Sequence, residues 1–503
     1  MQQLVQNVVV VGGGSAGFLA AVTLKRRNPQ LQITLLKTDS TPSLSAGEGS
    51  TSYLPRFLHA YLGLDRSEFY ERVKPSWKLG VRFNWGPPRQ SHFNFAYGGQ
   101  AGLTARYPQL KKILSYYCRD GFSEFSLNSI RMDTNKSPVI SAKDGEHRFD
   151  ENIGYHLDSD LFIKYLEKKA AEFGVNIQEQ NVVDVQQDES GHIRHLALDD
   201  ETTLSADLFV DCTAFPSLLL HQTLDEPYIS YADSLFCDSA VNGSWERDES
   251  ALPYTIVDTM QHGWSWRIDL RDRVNRGYVY ASDHCADTQA IDEMKGSTPP
   301  MREHFGLFRF QPGRHQHFWV KNVVAIGNAG GCVDPLQSTE LRMICQASRL
   351  VAESLLETDR QPNEAVKRLA NAAWGKIWDD LRWFIALHYK YNAKVQSDFW
   401  TSCREKIHLE GLEPLLDAYQ SNGPSHLLET LVDPLSIFKL NGYLTLLLGQ
   451  NVPTQHRNQW DKTERRAIGE MQANLRARAA ESLSMPEALD VVAQPQWKWP
   501  RGA

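Results

Sequence analysis

The sequence predicts an α/β fold organised on a Rossmann-like nucleotide-binding module, and three stretches carry that expectation. The first spans residues 7–39. Val8, Val9, Val10 and Val11 form a β-branched run of the kind that makes a fully buried strand. Gly12-Gly13-Gly14-Ser15-Ala16-Gly17 follows at once and fits G-x-G-x-x-G; a helix then opens at Phe18, and Gln32 to Leu36 reads as a second strand. The second stretch, residues 321–331, is an apolar strand running into Gly327-Asn328-Ala329-Gly330-Gly331. The third, Ala206 to Ala214, is another buried strand, placed to return to the same sheet.

Each part of the first turn has a physical task. Gly12 makes the tight turn, Gly14 lets a pyrophosphate approach the backbone, and Gly17 lets the helix pack close to the sheet. Ser15 and Ala16 open the helix, whose free N–H groups and positive dipole end face the phosphates. The acidic residue expected after the second strand is replaced by Lys37, with Asp39 two residues on. Either Asp39 holds the ribose from the loop, or Lys37 meets a phosphate or the adenosine edge.

At 503 residues the chain is long for one simple core, which suggests subdomains on one cofactor platform: residues 1–360 as the nucleotide module with an inserted sheet, and 361–503 as a mainly helical cap. The net charge of −8, with no Lys/Arg run, makes nucleic acid and anionic membrane poor partners. No apolar segment approaches the roughly 18 residues that cross a bilayer, and the N-terminus leads directly into a strand. Seven scattered cysteines without a C-x-x-C pair argue against zinc and against a disulfide framework, and fit a reducing cytoplasm.

Along the chain, Gly47-Glu48-Gly49-Ser50-Thr51 is a small-residue loop able to lie against a flat cofactor, or an ordinary helix-entry loop capped by Thr51 or Ser52. Residues 77–85 alternate: Trp77, Leu79, Val81, Phe83 and Trp85 share one strand face, and Lys78, Gly80 and Arg82 the other. By spacing alone, Lys78 is a solvated outer-face residue. Phe93, Phe95 and Tyr97 extend the aromatic cluster, as core or as the wall of a pocket for a flat ligand. Asp158 or Ser159 caps a helix over residues 161–173, and residues 175–187 and 195–204 read as strands. Trp264 and Trp266 share a strand face. Asp334-Pro335-Leu336 leads into Gln337-Ser338-Thr339-Glu340, which opens a helix whose first N–H groups suit a phosphate or a halide. Residues 371–391 form a helix with a tryptophan-rich core stripe, and the tail from Gln494 reads as extended. No second G-x-G-x-x-G turn follows a strand, so NAD(P)H is not expected on this chain.

Together, Gly12–Gly17, Gly47-Glu48-Gly49, Trp77-Lys78, Gly263-Trp264-Ser265-Trp266-Arg267-Ile268, Gly327–Gly330 and Asp334–Thr339 resemble the flavin-dependent halogenases of the tryptophan halogenase type. The resemblance implies an FAD-binding module of the aromatic-hydroxylase type with an inserted β-sheet region and a C-terminal helical cap. It implies FAD, used as FADH2 from a separate flavin reductase, with Gly12, Gly14, Ser15, Ala16, Gly17, Asp39, Gly47, Glu48, Gly49, Ser50, Gly327, Asn328 and Leu336 around it. O2 and a halide ion would give hypohalous acid, with the halide near Ser338, Thr339 and Glu340. Lys78 would hydrogen-bond the oxidant or carry the halogen to a small aromatic substrate. Trp264 and Trp266 would shield the peroxide side of the flavin. A homodimer is left open.

Several positions depart from the family pattern. Gln337 replaces a glutamate, Glu340 and Ala214 each replace a glycine, and Asp269 replaces the proline of W-x-W-x-I-P. The Tyr-Tyr-Glu clamp of free-tryptophan enzymes is reduced to Tyr443, and the ring-stacking positions read Phe95 and Tyr97. These changes point to an indole or phenol other than tryptophan, and to bromide over chloride. The alternatives are an FAD-dependent aromatic monooxygenase and a flavin-binding homologue without halogenase activity.

Overall fold

Six sheets among the described residues and a mainly helical C-terminal third make up the computed structural model, which describes residues 4–37, 47–98, 106–118, 122–141, 146–247, 251–301, 305–456 and 458–500. Asn7–Val11 sits inside a six-stranded sheet, flanked by Gln32–Lys37 and Leu208–Asp211. Asn176–Glu179 lies outside Gln32–Lys37, and Val323–Ala325 outside Leu208–Asp211, all parallel; Trp319–Val320 closes the edge antiparallel. Strands buried on both faces need continuous apolar runs, which is what Val8 to Val11 supply. The helix Ser15–Arg27 is buried along its whole middle, Gly17 to Leu24, between this sheet and the helix Glu340–Glu357. The nucleotide module expected from the sequence is therefore present.

The inserted sheet has seven strands, in the order Gly306–Arg309, Ser239–Glu246, Arg273–Tyr280, Gly263–Asp269, Thr255–Met260, Gly80–Asn84 and Phe93–Ala96. One of four small, three-stranded sheets pairs Gly154–Asp158 with Gly47–Gly49 on one side and Ser76–Lys78 on the other. The strand expected over residues 77–85 is thus two strands. Lys78 pairs with Gly154 in the small sheet; Leu79 donates its N–H to Pro253 O at 2.7 Å, and from Gly80 the chain belongs to the large sheet. Because the chain crosses between sheets there, both of its faces are covered, and Lys78 is fully buried rather than solvated.

Other elements are shorter or displaced. Residues 175–187 divide into Asn176–Glu179 and Val182–Gln187, and the next strand begins at Ile193. The helix over residues 53–61 starts as Tyr53–Arg56 and widens into a π-turn, with Leu62 N–H donating to Phe57 O at 2.9 Å. Asp158 caps Ser159–Glu172 by accepting from Leu161 N–H. The tryptophan-rich helix runs Glu364–Tyr391, and the tail turns at Gln494 before Trp499 packs on Tyr70 at 4.2 Å between ring centroids. Ala214 sits at φ +59, the left-handed region that a glycine enters without cost. No helix among the described residues is long and apolar enough to cross a membrane. All seven cysteines are buried thiols, none in a disulfide.

Candidate active site

The Gly-rich turn contains one open position. A Cβ added at Gly12, where φ is +127, would lie 2.3 Å from Cys212 O, and one at Gly17 would lie 1.8 Å from Gly12 O. At Gly14 a Cβ meets nothing within 4 Å. Gly12 and Gly17 are thus required by the fold itself, and Gly14 faces space outside the protein at the start of a helix, the position a pyrophosphate occupies in such turns. Ser15 Oγ donates to Glu48 Oε1 at 3.3 Å, so the loop Gly47–Gly49 closes over this turn. Gly327, at φ +73, approaches Ala16 closely enough that a Cβ would lie 3.0 Å from it, and Leu336 is buried. These residues fit FAD, which would supply reducing electrons when bound.

The ribose contact is the weak part of this cradle. Lys37 is engaged by Glu167 at 2.7 Å and by Glu179 at 3.0 Å, so its ammonium is committed to carboxylates. Asp39 lies outside the described residues.

Adjacent residues of a strand point to opposite faces, and Gly47–Gly49 uses this to divide the site. Glu48 faces Ser15 and the Gly-rich turn; a Cβ on Gly49 would lie 3.1 Å from Lys78 Nζ and 2.9 Å from Ser338 Oγ. Lys78 Nζ donates to Ser338 Oγ at 2.6 Å and lies 5.8 Å from the centre of the Tyr97 ring. Burial lowers the Lys78 amine to about 7, with no carboxylate offsetting it. Tyr97 donates its O–H to Ser50 O at 3.0 Å, and Ser50 Oγ accepts from Tyr155 N–H, which ties this wall to the small sheet.

Because the unfolded chain holds the Lys78 proton up to 10.5 and the folded chain only to about 7, the unfolded state binds more protons between these values. Folding stability from this group therefore rises with pH across that window, and the full cost is present below it. Lys78→Met should stabilise the fold most at pH 6, by at most roughly 5 kcal/mol, and the gain should shrink by pH 9.5. Unfolding midpoints of the two proteins at both values check this; a difference independent of pH counts against it.

Around the start of Glu340–Glu357, Ser338 is left-handed at φ +54, and Thr339 is a buried N-cap that makes no side-chain capping bond. The first-turn N–H groups thus receive no side-chain cap from Thr339. The Glu340 carboxylate turns toward Asn328, which donates to it at 3.4 Å. Glu48 is pushed up to about 7, first by burial and then by the facing Glu340 carboxylate. Gln337 is buried and donates its Nε2 to His388 Nε2 at 2.8 Å; His388 Nδ1 faces Phe384 O at 2.8 Å. Burial lowers His388 to about 3, so it is a neutral acceptor toward Gln337.

Trp264 is anchored in the core: its Nε1–H donates to the Tyr389 hydroxyl at 2.9 Å, which donates to buried Asp334. Burial raises the Asp334 carboxyl to about 6. Trp266 lies 5.9 Å from Trp264 and packs on Gly277, where a Cβ would meet its ring at 2.0 Å. Asp269, at the former proline position, binds Arg267 at 2.9 Å.

Phe95 and Tyr97 line a cavity of about 180 Å³ together with Thr51, Ser52, Arg342 and Phe438. Tyr443 does not. Its hydroxyl donates to Asp380 at 2.7 Å and it borders a separate cavity with Trp383 and Leu415. Arg342 and Phe438 were not singled out from the sequence.

The tryptophan halogenase family profile matches residues 7–465. The chain belongs to the tryptophan halogenase family. This family membership makes it an FADH2-dependent halogenase. It is 28% identical over 449 residues to the tryptophan 7-halogenase RebH of Lentzea aerocolonigenes, covering 84% of this chain and 83% of RebH. Among solved structures, MibH, a lathipeptide tryptophan 5-halogenase, superposes with a TM-score of 0.88 at 34% identity, covering 97% and 94% of the two chains. BrvH, a flavin-dependent halogenase from Brevundimonas sp. BAL3, superposes at 0.82 with 26% identity, covering 97% and 99%.

Proposed function

We propose that this halogenase transfers halogen to a small indole or phenol under the direction of Lys78, and that bromide serves it better than chloride. The observation that carries the reading is the two-sided strand Gly47–Gly49, with the Gly-rich turn on the Glu48 side and buried Lys78 on the Gly49 side. Reduced flavin, provided by a separate reductase, supplies the electrons that convert O2, a halide ion and a proton into hypohalous acid and water. The protein then has two tasks: to hold the halide, and to keep the oxidant from reaching solvent.

The helix start at Thr339 and Glu340 presents backbone N–H groups toward an anion, while the Ser338 N–H is already donated to Pro335 O at 2.8 Å, so Ser338 can serve a halide only through its hydroxyl. Lys78 sits beside it through Ser338. With an amine near 7, Lys78 donates a hydrogen bond to hypohalous acid when protonated; when neutral it takes up the halogen, the N–H proton and the hydroxide leaving together as water. The arene then loses a ring proton as the carbon–halogen bond forms. Gln337 cannot accept that proton as a carboxylate would; it orients His388 instead. Bromide is the easier halide to oxidise, so it depends less than chloride on tight retention at this helix start, where the Glu340 carboxylate weakens the hold on either anion. The seven free cysteines fit a cytoplasmic enzyme.

Turnover with FAD, a flavin reductase, NADH, either halide and a panel of indoles and phenols, read by mass spectrometry, tests this. Monobrominated product exceeding the chlorinated one is expected. A hydroxylated product whose yield ignores halide would assign the chain to arene oxygenation.

A further inference from the structure

We propose that the aromatic substrate carries a carboxylate and no free amino group, and that Arg342 binds that carboxylate. This rests on the arene-halogenating reading above and specifies its substrate class. Arg342 stands in the first turn of Glu340–Glu357 and lines the same cavity as Phe95 and Tyr97. It is the one charged residue among the described residues lining that cavity.

Its guanidinium has no ion pair with any described residue. Nε donates to Gln346 Oε1 at 3.2 Å, and the group lies 5.2 Å from the Tyr53 ring centre. Arg131, Arg276 and Arg314 are also enclosed by protein, and each meets an aspartate at 2.9 Å. Arg342 alone among these four meets no carboxylate among the described residues, with its Nε donated to a neutral amide. Burial without a carboxylate lowers it to about 10. An enclosed cation without a counter-ion is costly, and a ligand carboxylate bound bidentately would remove that cost.

The rest of the cavity suits the remainder of such a ligand. Phe95, Tyr97 and Phe438 give flat apolar walls, and Thr51, Ser52 and Asn441 give neutral polar groups. Tyr97 lines the cavity and its ring centre is 5.8 Å from Lys78 Nζ, so this wall is the part of the cavity that adjoins the lysine, which does not itself line it. About 180 Å³ is below the roughly 300–1,000 Å³ of sites for larger ligands, which restricts the occupant to one or two fused rings with a short acid chain. An amino acid would also bring an ammonium, and no described lining residue is acidic. The inference therefore departs from tryptophan, the substrate in the names of the relatives.

The test is calorimetric titration of the full-length, FAD-loaded protein without reductant, using indole-3-propionate, indole-3-propionamide and tryptophan. The acid should bind at least about 10-fold more tightly than the amide or tryptophan. Arg342→Gln should bring the acid to the amide's level and leave the amide unchanged, and Arg342→Lys should retain part of the preference. Equal binding of acid and amide, tightest binding of tryptophan, absence of acid binding, or an unaltered preference in Arg342→Gln would each overturn it. If Arg342→Gln does not fold, the acid–amide comparison on the wild-type protein decides. Turnover is not needed, so an acid preference without halogenated product would sink the halogenating role and leave this assignment standing.

Discussion

Lys78→Ala should lose organohalide product by about 10³-fold or more while still binding FAD and still consuming NADH through the coupled reductase. The loss corresponds to roughly 4 kcal/mol or more of transition-state stabilisation. The expectation follows from the placement of Lys78 across Gly47–Gly49 from the Gly-rich turn: removing its amine leaves Gly14, Ser15 and Glu48 untouched. What disappears is the donor at 2.6 Å from Ser338 Oγ and the cation near the Tyr97 ring. Arginine should not rescue, because a guanidinium stays protonated and is a poor nucleophile; it must also fit beside Gly49, where even an added Cβ would lie 3.1 Å from the lysine nitrogen. Product yield by mass spectrometry against NADH consumption separates the two functions. Unchanged halogenation of the same ring position by Lys78→Ala would remove Lys78 from the mechanism.

The nucleotide module was legible because its signals are local. A valine run, a glycine turn and a helix lie within about twenty-five consecutive residues, and a parallel sheet follows from them. The burial of Lys78 was not legible from alternation, because it depends on the chain changing sheets at Leu79, where the partners are Pro253 and Gly154. Tyr443 looked like a remnant of a substrate clamp by its position near the C-terminus. Its hydroxyl is instead used by Asp380, a partner far away in sequence on another helix. Arg342 gave no sequence signal beyond standing four residues after Ser338 on an opening helix, where a charged residue is ordinarily solvated. Its cavity is assembled with residues 51–52, 94–98, 123–129 and 437–445, four segments that only the fold brings to it. The Ala214 substitution was visible, but its left-handed backbone was not.

Gly14→Val should abolish FAD binding, by about 100-fold or more, and leave the folding of the protein nearly unchanged. The two effects separate because of where the space lies. A side chain at Gly14 meets no protein atom within 4 Å, so the apoprotein accommodates it. The same side chain fills the approach to the N–H groups at the start of Ser15–Arg27, where a pyrophosphate needs contact with the backbone. Valine is also β-branched, but Gly14 is an N-cap at φ −88 and ψ −172, an extended conformation that valine adopts readily. Gly17→Ala should behave in the opposite way. Its Cβ would lie 1.8 Å from Gly12 O, so the helix must move off the sheet and the fold weakens before any ligand is considered. Flavin fluorescence titration and thermal unfolding of both variants measure the pair. Gly14→Val holding FAD as tightly as the wild-type protein would place the pyrophosphate elsewhere, and loss of the folded state in Gly14→Val would mean that the turn has no room for a side chain even without a ligand.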